Sequence, residues 1–125
     1  IRQRPGGGNA LGQVKFLFPN RHAVYLHDTP SKSLFNRSAR AFSHGCVRVH
    51  NPMEFADALL ANEQNMSRAS LESQRGSSER WNNLAVHVPV HIAYFTLRVD
   101  ANGEINSFAD VYGQNSRLKS MLNVT

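Results

Sequence analysis

Two short apolar segments joined by turn residues constrain the fold of this chain most strongly. Residues 14–18 predict a β-strand, and residues 23–26 predict its antiparallel partner. The proline, asparagine and arginine at positions 19–21 have the chemistry of the turn between them. His27 directly follows the second segment, so the predicted hairpin ends on an imidazole.

The chain has one cysteine, Cys46, which excludes an internal disulfide and a zinc site built from several cysteines. A lone cysteine is most often a small buried side chain. A free thiol has a pKa of roughly 8.5, so it is a good nucleophile at neutral pH only beside a base or a cation. Two neighbouring strand ends can bring His27 next to Cys46. His44 is the rival base, because it lies close to Cys46 in the sequence.

Residues 51–62 predict the clearest helix. Asn51 is its expected N-cap, Pro52 its first residue and Glu54 an acid in its first turn. Its apolar positions 53, 56, 59 and 60 recur at helical spacing and are expected to face the core. Upstream, Ser31 is predicted to cap a short helical turn at residues 33–35. Downstream, the polar residues 64–78 predict short helical turns or a mobile connection.

Residues 86–99 alternate apolar and polar side chains and predict the longest strand. Pro89 then has to lie at a sheet edge or at the true start of that strand. Residues 100–103 predict a turn into a second hairpin, and residues 111–122 predict a closing helix or an irregular tail. The fold class expected from these elements is mainly β with short helices, that is, α+β.

The composition argues against a membrane-spanning protein and gives no sign of a nucleic-acid-binding one. A hydrophobic content of 41% and a mean hydropathy of -0.42 describe a globular chain, and no apolar run approaches the length of a membrane span. The net charge of +5 favours an anionic environment. No cluster of basic and aromatic residues indicates nucleic-acid binding.

One pattern in the sequence resembles the signature of a known family. It consists of His27, then residues 28–42, then Ser43, His44, Gly45 and Cys46, with an arginine at position 48. The family is the L,D-transpeptidases (YkuD-type catalytic domain), which cross-link peptidoglycan. Residues 1–6, 9–16, 18–20 and 26–30 also resemble the long-form subgroup. The resemblance is close over residues 1–60 and looser beyond them.

The resemblance implies a YkuD-like β-sandwich catalytic domain. Residues 1–125 are expected to be the C-terminal part of a single such domain that lacks its N-terminal strands. The family's members act in the periplasm or at the cell wall, so the expected partners are peptidoglycan stem peptides and, for some members, a wall-anchored lipoprotein. No cofactor or metal is expected.

The resemblance also assigns roles within the site. Cys46 is the expected nucleophile and His27 its base, oriented by the backbone carbonyl of Asp28, although the sequence permits the Asp28 carboxylate to do this. The amides of Gly45 and Cys46 are expected to stabilise an oxyanion, and His44 supports the site. The residues expected to contact substrate are Arg48, Ser43 and Thr29, with the arginine binding a carboxylate.

The implied reaction releases D-alanine from a tetrapeptide stem through a cysteine thioester. An amine of another stem then gives a 3-3 cross-link, or a lipoprotein lysine gives an anchor. Sensitivity to carbapenems follows from the same resemblance. The alternatives are a hydrolase on the same scaffold, such as an L,D-carboxypeptidase or an amidase, a non-catalytic wall-binding module, and a metal site formed by His27, His44 and Cys46.

Overall fold

A computed structural model of the chain describes residues 3–76 and 78–123. The chain divides into two compact units, residues 1–90 and 91–125, each described here by itself. The resemblance at Ile1 and Arg2 and the expected connection at Ser77 lie outside the described residues. Within the described residues, no helix is both long and apolar enough to cross a membrane.

A three-stranded sheet organises the first unit. Its strands are β1 (Lys15–Phe16), β2 (Leu26–His27) and β3 (Val47–Arg48), in that spatial order. β1 and β2 are antiparallel, which confirms the predicted hairpin, although both strands are shorter than predicted. β2 and β3 are parallel, so residues distant in the sequence end at the same edge of the sheet.

A 3-10 helix, Lys32–Asn36, connects β2 towards β3 and confirms the short helical turn. Ser31 occupies its N-cap position, but its side chain makes no capping hydrogen bond, so the predicted cap is wrong. The turn before the helix is stabilised by Thr29 instead, because the Thr29 hydroxyl oxygen accepts the Ser31 N–H at 3.1 Å.

Helix α1 (Pro52–Leu60) begins where predicted and ends two residues before Asn62. The Asn51 side chain donates to Glu54 Oε2 at 2.8 Å and makes no hydrogen bond to the helix backbone, so its expected capping bond is absent. The predicted inner face is confirmed, with Ala56 and Leu60 buried and Met53 and Leu59 half-buried.

The Phe55 ring of α1 meets the Phe16 ring of β1 edge to face, with centroids 4.8 Å apart, which joins this helix to the sheet. Helix α2 (Arg68–Ser73) follows and confirms helical structure within residues 64–78. A reciprocal capping box between Ser67 and Ser70 starts it.

The second unit contains an antiparallel hairpin, β4 (Leu97–Val99) and β5 (Ile105–Ser107), followed by helix α3 (Gln114–Leu122). The predicted second hairpin and closing helix are both confirmed. The turn needs a glycine at position 103, where φ is +82°. Asp110 stabilises the N-terminus of α3 from a position before the N-cap residue Gly113, because its carboxylate accepts the N–H groups of Gln114 and Asn115 at 2.9 and 2.8 Å.

The long strand predicted at residues 86–99 is wrong outside Leu97–Val99. Residues 86–95 carry no regular secondary structure, and the apolar side chains of Val86, Val88, Ile92 and Phe95 are exposed. An alternating sequence becomes a strand only when a neighbouring strand binds its backbone, and no partner strand pairs with this segment in the described part of the chain. The α+β class itself is confirmed.

Candidate active site

His27 ends β2 and is only 5% exposed. Its Nδ1 lies 2.5 Å from the backbone carbonyl oxygen of Asp28. A carbonyl oxygen only accepts hydrogen bonds, so in the neutral imidazole the proton is on Nδ1 and the lone pair is on Nε2. The imidazole is therefore held in the tautomer that a general base needs. This hydrogen bond is the one that the resemblance implied, while the catalytic role of His27 stays a prediction.

Cys46 directly precedes β3 and is half-buried. The parallel register pairs His27 with Arg48, and the Val47 N–H donates to the carbonyl of Tyr25 at 3.1 Å. Side chains alternate between the two faces of a strand, so the paired residues His27 and Arg48 share one face. The same alternation, continued one residue before β3, predicts that Cys46 lies on this face. The fold thus brings the segments that carry the predicted nucleophile and base side by side in one sheet.

The connection between β1 and β2 approaches the thiol from the other side. The Cys46 Sγ lies 3.9 Å from the carbonyl oxygen of Ala23, a non-glycine residue at φ +52°. This conformation is costly for alanine, so neighbouring contacts have to hold it. Asn20 supplies them: its Oδ1 accepts from the N–H of His22 and Val24, and its Nδ2 donates to the carbonyl oxygens of Phe18 and Val24.

Sequence reasoning assigned Asn20 only to a turn and did not connect it with the site. Its effect depends on four backbone groups that converge on one amide side chain, which the sequence does not show. The available signal was an asparagine in a connection that directly precedes the predicted base.

The segment before Cys46 is organised by Ser43. Its hydroxyl donates to the Cys46 carbonyl at 2.6 Å and accepts the Gly45 N–H at 3.2 Å. Gly45 has φ +145°, and a Cβ there would lie 3.3 Å from Val24 Cγ2. The Gly45 amide predicted for the oxyanion is therefore already bonded to Ser43. The Cys46 N–H, by contrast, has no acceptor among the described residues.

The Asp28 carboxylate makes hydrogen bonds to two other segments of the chain. One oxygen accepts the Gln13 N–H at 2.9 Å and the other accepts Lys32 Nζ at 2.7 Å. Burial alone raises the pKa of Asp28, but these hydrogen bonds, the Thr29 N–H and the Lys32 charge outweigh it and hold the pKa below 3.8. The carboxylate is thus engaged elsewhere, and the carbonyl orients His27.

Three further predicted site residues lie in different surroundings. Thr29 is 2% exposed, and its hydroxyl closes the turn, which argues against direct contact with substrate. His44 is exposed. Arg48 is half-buried on the face of His27 and forms no ion pair with a carboxylate of the described residues.

Metal binding has little support in this arrangement. Across residues 3–76 and 78–123, no group of at least three His, Cys, Asp or Glu side chains is placed to hold a metal ion. The chemistry that the site offers is that of a thiol, an imidazole and backbone amides.

Comparison with known proteins shows the family of this chain. The family model of the L,D-transpeptidase catalytic domain (YkuD) matches residues 1–92, so the chain belongs to this family. A Haemophilus influenzae protein named provisionally as an L,D-transpeptidase is 37% identical over 123 residues, which cover 94% of this chain. The chain spans 24% of that relative's length.

Proposed function

We propose that the protein is a peptidoglycan L,D-transpeptidase that works through a thioester on Cys46. The observation that supports the proposal is the parallel pairing of β2 with β3, which brings the segments of His27 and Cys46 side by side. The Asp28 carbonyl oxygen, 2.5 Å from His27 Nδ1, orients the imidazole. Membership of the L,D-transpeptidase family supports the same reaction class.

In the first half-reaction, His27 Nε2 takes the thiol proton and the Cys46 thiolate attacks the carbonyl carbon of the third stem residue. The sulfur–carbon bond forms and the amide bond to the terminal D-alanine breaks. His27 returns its proton to the leaving amine, which departs as D-alanine. The acyl group remains on sulfur as a thioester.

The negative charge that develops on the attacked oxygen needs hydrogen-bond donors. The Cys46 N–H is the first candidate, because no described residue accepts it. The Gly45 N–H joins it only if its bond to Ser43 is released. Arg48, whose guanidinium stays charged, is proposed to bind a carboxylate of the stem peptide and so to align the scissile bond.

In the second half-reaction, an amine attacks the carbonyl carbon of the thioester and His27 accepts the amine proton. The carbon–nitrogen bond forms as the sulfur–carbon bond breaks, and His27 returns the proton to the departing Cys46 thiolate. The side-chain amine of another stem peptide gives a 3-3 cross-link, and a lysine of a wall-anchored lipoprotein gives a protein anchor. Both acceptors belong to the bacterial wall, so the proposed location is the periplasm or the cell wall.

The direct test is product analysis with the full chain and disaccharide tetrapeptides. We expect wild-type protein to release D-alanine and to form cross-linked dimers, and Cys46→Ala to form neither. His27→Ala should lose roughly 10²- to 10⁴-fold in rate, the usual contribution of a general base. His87→Ala removes an exposed imidazole from the same unit and is the matched control.

The other outcomes separate the alternatives. Tripeptides without dimers contradict transpeptidation and indicate a hydrolase on the same scaffold. Unchanged wall function in Cys46→Ala contradicts catalysis altogether and indicates a wall-binding module.

A further inference from the structure

Lys32 makes a set of contacts that the proposed reaction does not use. Its ammonium donates to Asp28 Oδ1 at 2.7 Å, to the Val49 carbonyl at 3.2 Å and to the His50 carbonyl at 2.6 Å. An ammonium has three N–H donors, so these acceptors match its full capacity. Lys32 thus gathers three oxygen atoms from two separate segments of the chain.

Those segments continue the two strands that form the site. Asp28 directly follows β2, and Val49 and His50 directly follow β3. The ammonium therefore joins the ends of both strands. The 3-10 helix has a second anchor at the same place, because the rings of Phe35 and His50 meet with centroids 4.9 Å apart.

The ion pair is shielded at its acidic end. The Asp28 side chain is 13% exposed and that of Lys32 41%, so this pair is screened less than one in open solvent. The second Asp28 oxygen is held by the Gln13 N–H, which fixes the carboxylate against the connection before β1. The acceptor is therefore in place independently of Lys32.

The pairing that this contact supports is short. β2 and β3 pair over only two residues each, and so short a ladder fixes its register weakly. A slip of one residue would turn Cys46 to the face opposite His27. A further contact outside the ladder is needed to fix the alignment of the two strand ends. The Lys32 contacts can do this, because they join the residues that directly follow β2 and β3.

We propose that Lys32 is a positioning residue that keeps the strand of His27 in register with the strand of Cys46, an inference that rests on the proposed function. It touches no reacting atom and acts through Asp28 and the two carbonyl groups. Its loss should therefore weaken the coupling between thiol and imidazole even where the fold survives.

The test is the rate of Cys46 alkylation by iodoacetamide at a fixed neutral pH, followed by intact mass. Cys46 is the chain's only cysteine, so every added carbamidomethyl group reports on it. This readout needs neither a wall substrate nor transpeptidase turnover. Lys32→Met retains an unbranched apolar stem and removes the ammonium. Lys119→Met, on α3 of the second unit, is the charge-matched control.

We expect wild-type protein to be alkylated faster than His27→Ala, because the imidazole assists the thiol. Lys32→Met should lower this rate roughly tenfold and bring it near that of His27→Ala. Lys119→Met should match wild type. Lys32→Arg keeps the charge but not the compact ammonium and should restore part of the difference.

A wild-type alkylation rate in Lys32→Met would overturn the proposal, because Lys32 would then contribute to stability at most. If Lys32→Met does not fold, Asp28→Asn replaces it, since it removes the negative charge opposite Lys32 while an amide oxygen can still accept the Gln13 N–H. An unchanged alkylation rate in Asp28→Asn would likewise overturn the proposal. A wild-type alkylation rate that His27→Ala does not lower contradicts the thiol–imidazole pair itself, and both proposals fail.

Discussion

Gly12→Ala should destabilise the first unit, because Gly12 packs directly against the Asp28 side chain. A Cβ at position 12 would lie 2.3 Å from Asp28 Oδ2 and 2.5 Å from Asp28 Cβ, far inside contact distance. Gly12 also has φ +64°, in the left-handed region that alanine adopts at a cost. Neither the Asp28 Cβ nor the backbone next to it can move away easily.

The expected loss has two parts. The left-handed conformation costs alanine about 1–2 kcal/mol. Displacing the carboxylate breaks its charge-assisted hydrogen bonds with Lys32 and the Gln13 N–H, which together contribute about 1.5–3 kcal/mol. The sum is about 2.5–5 kcal/mol, a large share of the ~5–15 kcal/mol that stabilises a typical domain.

Urea unfolding followed by far-UV circular dichroism measures this loss. Amide hydrogen exchange of Gln13 locates it, because its N–H should lose protection once the carboxylate moves. Gly8→Ala is the matched control: a Cβ there meets nothing within 4 Å, and the expected change is within about 0.5 kcal/mol. A loss below about 1 kcal/mol in Gly12→Ala would refute the close packing of Gly12 on Asp28.

Four other predictions follow from the same contacts. The pKa of Asp28 is lowered in the fold, so the Asp28 carboxylate contributes to the free energy of unfolding above pH 3.8, its unfolded value, and this contribution disappears as the pH falls through the folded value. In acid titration, the free energy of unfolding of Asp28→Asn should therefore fall less steeply over this pH range than that of wild type. Asn20→Ala should lower the melting temperature and, by freeing Ala23, change the alkylation rate of Cys46, measured against wild type. Arg48→Ala should reduce kcat/KM for tetrapeptide substrate roughly 10- to 100-fold through loss of a charged hydrogen bond, with kinetics of the amidated stem as the check. A carbapenem should give one covalent adduct in intact mass, absent from Cys46→Ala.

Features encoded by neighbouring residues were predictable from the sequence. The hairpin around residues 19–21 and the start of α1 at Pro52 depend on local turn and helix-start chemistry. The sequence also predicted that the strand end at His27 meets the segment of Cys46, and β2 and β3 are neighbours in the sheet. Their parallel register became visible only in the fold.

Features that depend on partners elsewhere in the chain were not predictable. The apolar alternation of residues 86–95 predicts a strand, but no described strand pairs with it. Lys32 and Asn20 look like ordinary polar residues, because their acceptors and donors converge only after folding. The engagement of the Gly45 amide by Ser43 is likewise a matter of loop conformation.

The proposed acyl-enzyme on Cys46 is tested most directly by intact mass. The full chain, mixed briefly with disaccharide tetrapeptide and quenched in acid, should gain the mass of one substrate minus one D-alanine. Peptide mapping should assign this mass to Cys46, and Cys46→Ala should show no gain. Cross-linked product formed by wild type without any adduct on Cys46, or an adduct on another residue, would contradict the cysteine thioester.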